Sequence, residues 1–263
     1  PVWRKKLYKV LALGYTGTPE QQQRLNRATD IMAALVIAIA IIVYSVLAWI
    51  FSVTLQPGWH STIFGPYFVI AAVYSGSAVL IVAMWLFRKI YHLEKYITKK
   101  HFVSVGVIML VLAAFFGYFT FSDYLTKWYG SEKNDEMLIR LLFSEFYWPF
   151  IISNYVGVLL PLIVVGIGKL RTITNITLTA VVVIIALWFN RYIIVVPTLE
   201  APYLPIQDSR PEWISYSATW VEWSLTAAGV AVFLLLFTLA SKFVPIIPIS
   251  AVEAEDKKEE SPA

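Results

Sequence analysis

The chain has 263 residues, 59% hydrophobic and 14% charged, with no cysteine and a formal net charge of +4. Soluble domains carry about 25% charged residues, so this composition excludes an ordinary water-soluble fold and marks a chain solvated by lipid. Without cysteine the chain itself holds no disulfide, thiolate-ligated iron–sulfur cluster or covalent c-type haem, and a small positive balance in such a chain speaks of orientation, not nucleic acid.

Residues 1–27 read as a polar, basic cytoplasmic connector with a short amphipathic helix. The chain opens on Pro1 with no signal peptide in view, as a processed chain or a fragment would. Six apolar segments follow, at 28–54, 61–87, 102–122, 146–167, 173–196 and 219–244. At about 1.5 Å per residue each is long enough to cross a bilayer. The fold class is therefore all-α, a polytopic membrane protein of about six transmembrane helices over residues 28–249. Residues 250–263, AVEAEDKKEESPA with its preceding Ser, form a charged tail with nothing to bury and are expected to be disordered.

Lysine and arginine set the orientation. Sixteen fall at the termini and in the loops on one side, and only Lys127, Lys133, Arg140 and Arg210 on the other. The positive-inside rule puts both termini in the cytoplasm of an inner-membrane protein and turns His60 outward. Trp59, Trp128, Trp148, Trp213, Trp220 and Trp223 gather at the same outer end, as an interfacial belt does.

A charge held at mid-bilayer costs about 2.5–3.5 kcal/mol, so polar residues inside the spans are the candidate functional groups. In the first loop, QPGWHSTIF places His60 as a turn cap, a proton-exchanging group or a hydrogen-bond donor to a ligand. Asp123 ends the third span, and Asn154 and Pro161 lie in the fourth, where a bend is expected. The fifth carries Asn175, Thr179 and Asn190 on one stripe, a candidate proton path interrupted at Val183 and Ala186. Its Arg191 points elsewhere and calls for a carboxylate, Glu222 or Asp123. Glu222 opens the sixth span on a face shared with Ser215, Thr219 and Thr226, either facing the bundle interior or paired at the interface. The histidines are His60, His92 and His101, the last two on one inner loop, so neither a bis-histidine haem nor a three-histidine metal site can form, and no metal is expected.

The stretches PGWHSTIFGPYFVIAAVYSGSAVLI, RKIYHLEKYITKKHF, YFTFSDYLTKWYG, WFNRYIIVVPTLEAPYLP and SATWVEWSLTAAGVAVFLLLFTLASKFVPIIPIS occur in an order that resembles the NrfD/PsrC family. More narrowly they resemble ActC and ActF, the NrfD-like membrane subunits of alternative complex III. The resemblance implies two four-helix bundles with peripheral helices, of which these residues match the C-terminal bundle and last helix. It implies no cofactor in this chain alone, menaquinol or quinone at or near it, and iron–sulfur clusters and haem c in partners. Those partners would be a molybdoenzyme-like iron–sulfur subunit, a multihaem cytochrome c and a second NrfD-like subunit. Relatives often place a carboxylate where Asn190 stands, which puts a complete proton path in doubt.

The function expected is that of a membrane subunit of a respiratory quinol-oxidising complex in a bacterial inner membrane, not a complete enzyme alone. His60, Asp123, Arg191 and Glu222 are its candidate proton and quinol-side cluster, with Asn154, Asn175, Thr179 and Asn190 hydrating the interior. A secondary transporter or a purely structural anchor would also fit such a composition. Against the transporter, no inverted repeat and no Gly/Pro-broken helix pair is visible.

Overall fold

The computed structural model describes residues 6, 9–10, 12, 14–54, 56, 58–130, 132–200, 216 and 218–243. The expected tail at 250–263, most of the amphipathic N-terminal helix, Arg210, Trp213 and Ser215 lie outside these residues. Among the described residues the fold is all-helical, with six helices long and apolar enough to cross a membrane. This is a multi-pass membrane protein.

Helix α1 spans Pro19–Ser52 and begins inside the expected connector. Thr18 caps it, its side chain accepting from the Gln21 N–H at 3.4 Å, while Pro19 takes a position whose N–H would have no intrahelical partner. Helices α2 (Phe64–Ile90), α3 (Lys99–Gly130), α5 (Tyr147–Gly166) and α6 (Ile173–Glu200) form a closed four-helix bundle, each packed on two neighbours in the cycle α2, α3, α5, α6. Helix α1 lies against α2. A short helix, α4 (Lys133–Ser144), crosses one end of the bundle and touches α3, α5 and α6. Helix α4 is too short to cross a bilayer and is not among the six expected segments; it is amphipathic and buries Leu138 and Leu142. A second unit, Pro211–Ala263, contributes α7 (Trp220–Phe243).

The bundle packs closely because small residues line its seams. A Cβ on Gly157 would lie 2.8 Å from the Ala186 Cβ, and one on Gly117 would lie 2.8 Å from Val158 Cγ1. Lipid supplies no hydrophobic drive between helices, so such close approach is what van der Waals attraction needs. Tyr74, Phe102, Met109, Phe116 and Ile176 fill the centre.

Helix α5 is irregular. Residues Ile152–Val156 form a π turn, and Pro161 follows. Pro161 has no N–H to give the Gly157 carbonyl four residues back. The Tyr74 hydroxyl donates to that carbonyl instead, at 2.5 Å across the bundle interior from α2 to its diagonal partner α5. In α6, the apolar run predicts an end at Val196, but the helix continues through Pro197 to Glu200. Beside this second proline the Trp59 indole N–H donates to the Ile194 carbonyl at 2.8 Å. Each of α5 and α6 thus carries a proline without being broken, and an aromatic donor meets a backbone carbonyl near each.

Tyr74→Phe is expected to destabilise the protein by about 1 kcal/mol, by orphaning a buried carbonyl. With Pro161→Ala an N–H returns at position 161, and the same substitution should lose at least half of its effect. A double-mutant cycle on unfolding in detergent measures this; equal losses in both backgrounds would break the link.

Candidate functional site

Four groups of polar side chains lie toward the His60 end of the first unit. The turn carrying His60 is fixed from three directions. Gly58 has φ +80° and sits against Leu138 of α4, where a side chain would find neither the backbone angle nor the space. Trp59 is buried, its ring edge-on to Phe51 of α1 at 4.9 Å and its N–H on α6. His60 itself points outward, with Nε2 3.7 Å from Glu132 Oε2 and 4.0 Å from Asp135 Oδ2. Nothing in the sequence pattern pairs these acids with it.

Beneath the turn lies a small cavity of about 30 Å³, lined among others by Tyr67, Thr120, Asp123, Tyr124 and Lys127. That is room for a water or two. Asp123 is ion-paired with Lys127 one turn on, both largely buried, while Asp123 Oδ1 has no hydrogen-bond partner among the described residues. Asn190, 1% exposed, donates through Nδ2 to the Tyr67 hydroxyl at 2.6 Å, and its Oδ1 is buried without a partner. Thr120 Oγ1 is buried and unpartnered as well.

Arg191 departs from expectation. Asp123 is taken by Lys127, and the guanidinium of Arg191 instead lies over the Phe68 ring, 4.1 Å from its centroid. Nη1 is buried with no hydrogen-bond partner among the described residues. Cation–π attraction, worth about 2 kcal/mol when desolvated, holds a charge that no carboxylate among the described residues meets.

The fourth group faces a wider groove. A cavity of about 860 Å³ opens between α3, α4 and α5, walled by Gly117, Leu125, Trp128, Phe143, Phe150 and Val158. Its polar groups are Thr120, Tyr124, Tyr155 and Asn154, the last on the π turn. Both amide atoms of Asn154 are buried and make no hydrogen bond within 3.5 Å among the described residues, although the Tyr124 hydroxyl is a near neighbour. Thr120 and Tyr124 also line the small cavity, so they form the wall between groove and pocket. Asn154, on the π turn, belongs to the groove wall, with its amide atoms withdrawn from the surface.

The remaining candidates lie elsewhere. Asn175 stands at the opposite end of α6, where its Nδ2 donates to the Leu170 carbonyl at 3.0 Å and its N–H to Thr172 Oγ1 at 3.1 Å, as a helix start does. Thr179 is buried, but the interval up to Asn190 is filled by Val183 and Ala186, both fully buried. Glu222 belongs to the second unit. It accepts from the Thr219 N–H at 2.6 Å and from Thr219 Oγ1 at 3.1 Å, and Thr219 Oγ1 accepts from the Glu222 N–H at 3.5 Å. This is a capping box at the start of α7. Sequence reasoning misses Tyr67, Thr120 and Tyr124, which no composition signal separates from core aromatics and small polar residues. Glu132 and Asp135 are missed as well, since acids at a helix start are ordinary.

The "Hdr-like menaquinol oxidoreductase integral membrane subunit" of Archaeoglobus fulgidus is 26% identical over 249 residues, covering 89% of this chain and 62% of the relative. The C subunit of the selenate reductase of Mesobacillus selenatarsenatis is 23% identical over 260 residues, covering 92% of this chain and 59% of its own. The "Menaquinone reductase, integral membrane subunit" of Nitratidesulfovibrio vulgaris is 24% identical over 198 residues, covering 73% and 46%. The chain thus spans between about half and three fifths of the curated relatives it matches. The family model "Polysulphide reductase, NrfD" matches residues 5–201, well over half of the sequence, and this chain belongs to that family.

Proposed function

We propose that this chain serves a quinol-linked electron-transfer complex of a bacterial cytoplasmic membrane, with both termini in the cytoplasm and the His60 end outside. The carrying observation is the apolar groove with Asn154, Thr120 and Tyr124 together in its wall, the Asn154 amide buried beside the Tyr124 hydroxyl. A quinol is an apolar ring and tail with two hydroxyl groups, and such a groove suits the tail while Asn154 and Thr120 offer hydrogen bonds to the head. Menaquinol is the substrate favoured here, since two of the relatives carry menaquinol or menaquinone in their names.

Oxidation of a quinol releases two protons and two electrons. The electrons would pass to iron–sulfur clusters and then haem c in partner subunits, since nothing in this chain's composition supplies thiolate ligands. Those partners are proposed to be a molybdoenzyme-like iron–sulfur subunit, a multihaem cytochrome c and a second NrfD-like subunit, the arrangement of the ActC and ActF subunits. Protons would leave across the Thr120–Tyr124 wall to Asp123, whose Oδ1 has no hydrogen-bond partner among the described residues, and then toward the surface at His60. Arg191, over the Phe68 ring beside Tyr67 and Asn190, would add positive charge near this path. Asn175 and Thr179 would hydrate the far end of α6, with proton translocation through the bundle limited by Val183 and Ala186.

Asn154→Leu in the assembled complex is expected to raise the KM for a water-soluble menaquinol analogue about tenfold, the equivalent of one hydrogen bond of about 1.4 kcal/mol. Asp123→Asn should lower kcat and leave KM near the wild-type value. Wild-type kinetics in both would remove the groove and the pocket from turnover. Glu222→Gln keeps the capping box, because glutamine serves at that position too. Turnover and melting temperature are expected to match wild type, and a slower turnover at unchanged melting would return Glu222 to the proton path. Purification of the native complex in mild detergent, with mass spectrometry and a visible spectrum, should bring iron–sulfur and c-haem subunits along with the chain. A colourless, partnerless chain would overturn the electron-transfer reading.

A further inference from the structure

We propose that His60, Glu132 and Asp135 form a divalent-cation site, of the kind Zn²⁺ occupies, between the first turn and helix α4. Their ligating atoms all lie within 4.8 Å of one another. The imidazole Nε2 stands 3.7 Å from Glu132 and 4.0 Å from Asp135, too far for a hydrogen bond to either. Those spacings suit atoms on opposite sides of a small cation. With metal–ligand bonds of about 2.0–2.2 Å, two donors on a tetrahedral ion stand about 3.4 Å apart. The contraction required is within the reach of Glu132, whose side chain is 69% exposed and can swing.

Asp135 supplies the independent indication of a ligand. Its side chain is only 7% exposed, and its Oδ2 faces His60. Its Oδ1 is buried with no hydrogen-bond partner among the described residues. A carboxylate oxygen withdrawn from water without a donor is costly unless a positive charge meets it. Lys127 lines the same recess, but its ammonium is engaged by Asp123.

The recess has a volume of about 270 Å³ and is also lined by Gly58, Ser61, Thr62 and Thr126, so an ion and its remaining waters fit. One imidazole and two carboxylates leave coordination positions open, the usual pattern for Zn²⁺ held by three protein ligands. The frame is preformed. Trp59 fixes the residue next to His60, and Asp135 sits in the first turn of α4, anchored by the buried Leu138 and Leu142. A bound ion would staple the loop between α1 and α2 to α4, above the cavity containing Asp123. This inference stands independently of the quinol reading.

The test uses the full chain in detergent, carrying no polyhistidine tag and stripped with a chelator. Zn²⁺ is titrated calorimetrically and the melting temperature followed. One ion per chain is expected, with a rise in melting temperature on binding. Glu132→Gln, at an exposed position that leaves the fold intact, should weaken binding on the order of tenfold or more and abolish that rise, as should His60→Gln. Co²⁺ as a second probe should give a visible absorption band that both variants lose. No saturable binding at millimolar Zn²⁺, or wild-type binding in Glu132→Gln and His60→Gln, would overturn the proposal.

Discussion

A helix in lipid has no water to satisfy a carbonyl that its own backbone abandons. Pro161 abandons the Gly157 carbonyl at the centre of the bundle, and the Tyr74 hydroxyl answers it. Much depends on this one bond. It lets α5 carry an irregular stretch without an orphaned carbonyl, and the irregular stretch carries Asn154 in the groove wall. It also anchors α2 to α5 where Gly157 brings α5 hard against Ala186 of α6. A side chain on Gly157 would push α5 and α6 apart, and the donor and acceptor would no longer meet. The close packing and the hydrogen bond are therefore two conditions for the same geometry.

Among the described residues, buried polar atoms without partners gather mostly toward one end of the bundle, with Arg88 Nε at the other. At the centre the buried polar atoms with a clear structural duty are bonded, as Tyr74 is to Gly157. Toward the His60 end, Thr120 Oγ1, Asp123 Oδ1, Asn154 and Asn190 Oδ1 are buried without partners, and Arg191 rests on an aromatic face. Each such group is expensive for a purely structural element to keep, and several in neighbouring cavities cost more than one. A fold selected only to anchor partners could replace them with Leu or Phe at little loss. Their concentration at one end is the physical reason for placing chemistry there.

Much of the architecture was legible because hydrophobic runs of about 20 residues have few other uses. The spans and their order follow directly from them, and the helix bounds differ most where polar ends extend a helix beyond its lipid-facing stretch, as at Pro19 and Gly130. The site was legible only in part. Asn190 and Asp123 stand out as polar residues in apolar runs, and the structure buries both in the polar end of the bundle. Their surroundings were hidden, because a partner such as Tyr67 lies 123 positions away and looks like any core aromatic. Charge complementarity misled in the case of Arg191: a base and an acid at similar depth invite pairing, but Asp123 has a lysine one helical turn away and needs no distant arginine. Glu222 shows the opposite confusion, since a carboxylate three residues into a helix is first of all a cap.

The turn at His60 joins packing to chemistry. Its glycine is demanded by a left-handed backbone angle against α4, its tryptophan by the Ile194 carbonyl near Pro197, and so its histidine is left with one direction, outward to Glu132 and Asp135. The residues that fix the turn serve packing and hydrogen bonding in the bundle below. The one they leave over is the one whose side chain can bind a proton or a metal. A loop held on three sides loses little entropy when its exposed side chain takes a ligand, which is the advantage of building such a position on a rigid frame. By the same reasoning Asp135, buried on α4 and facing that side chain, is more decisive than the exposed Glu132: it fixes where a positive charge at this end of the bundle must sit.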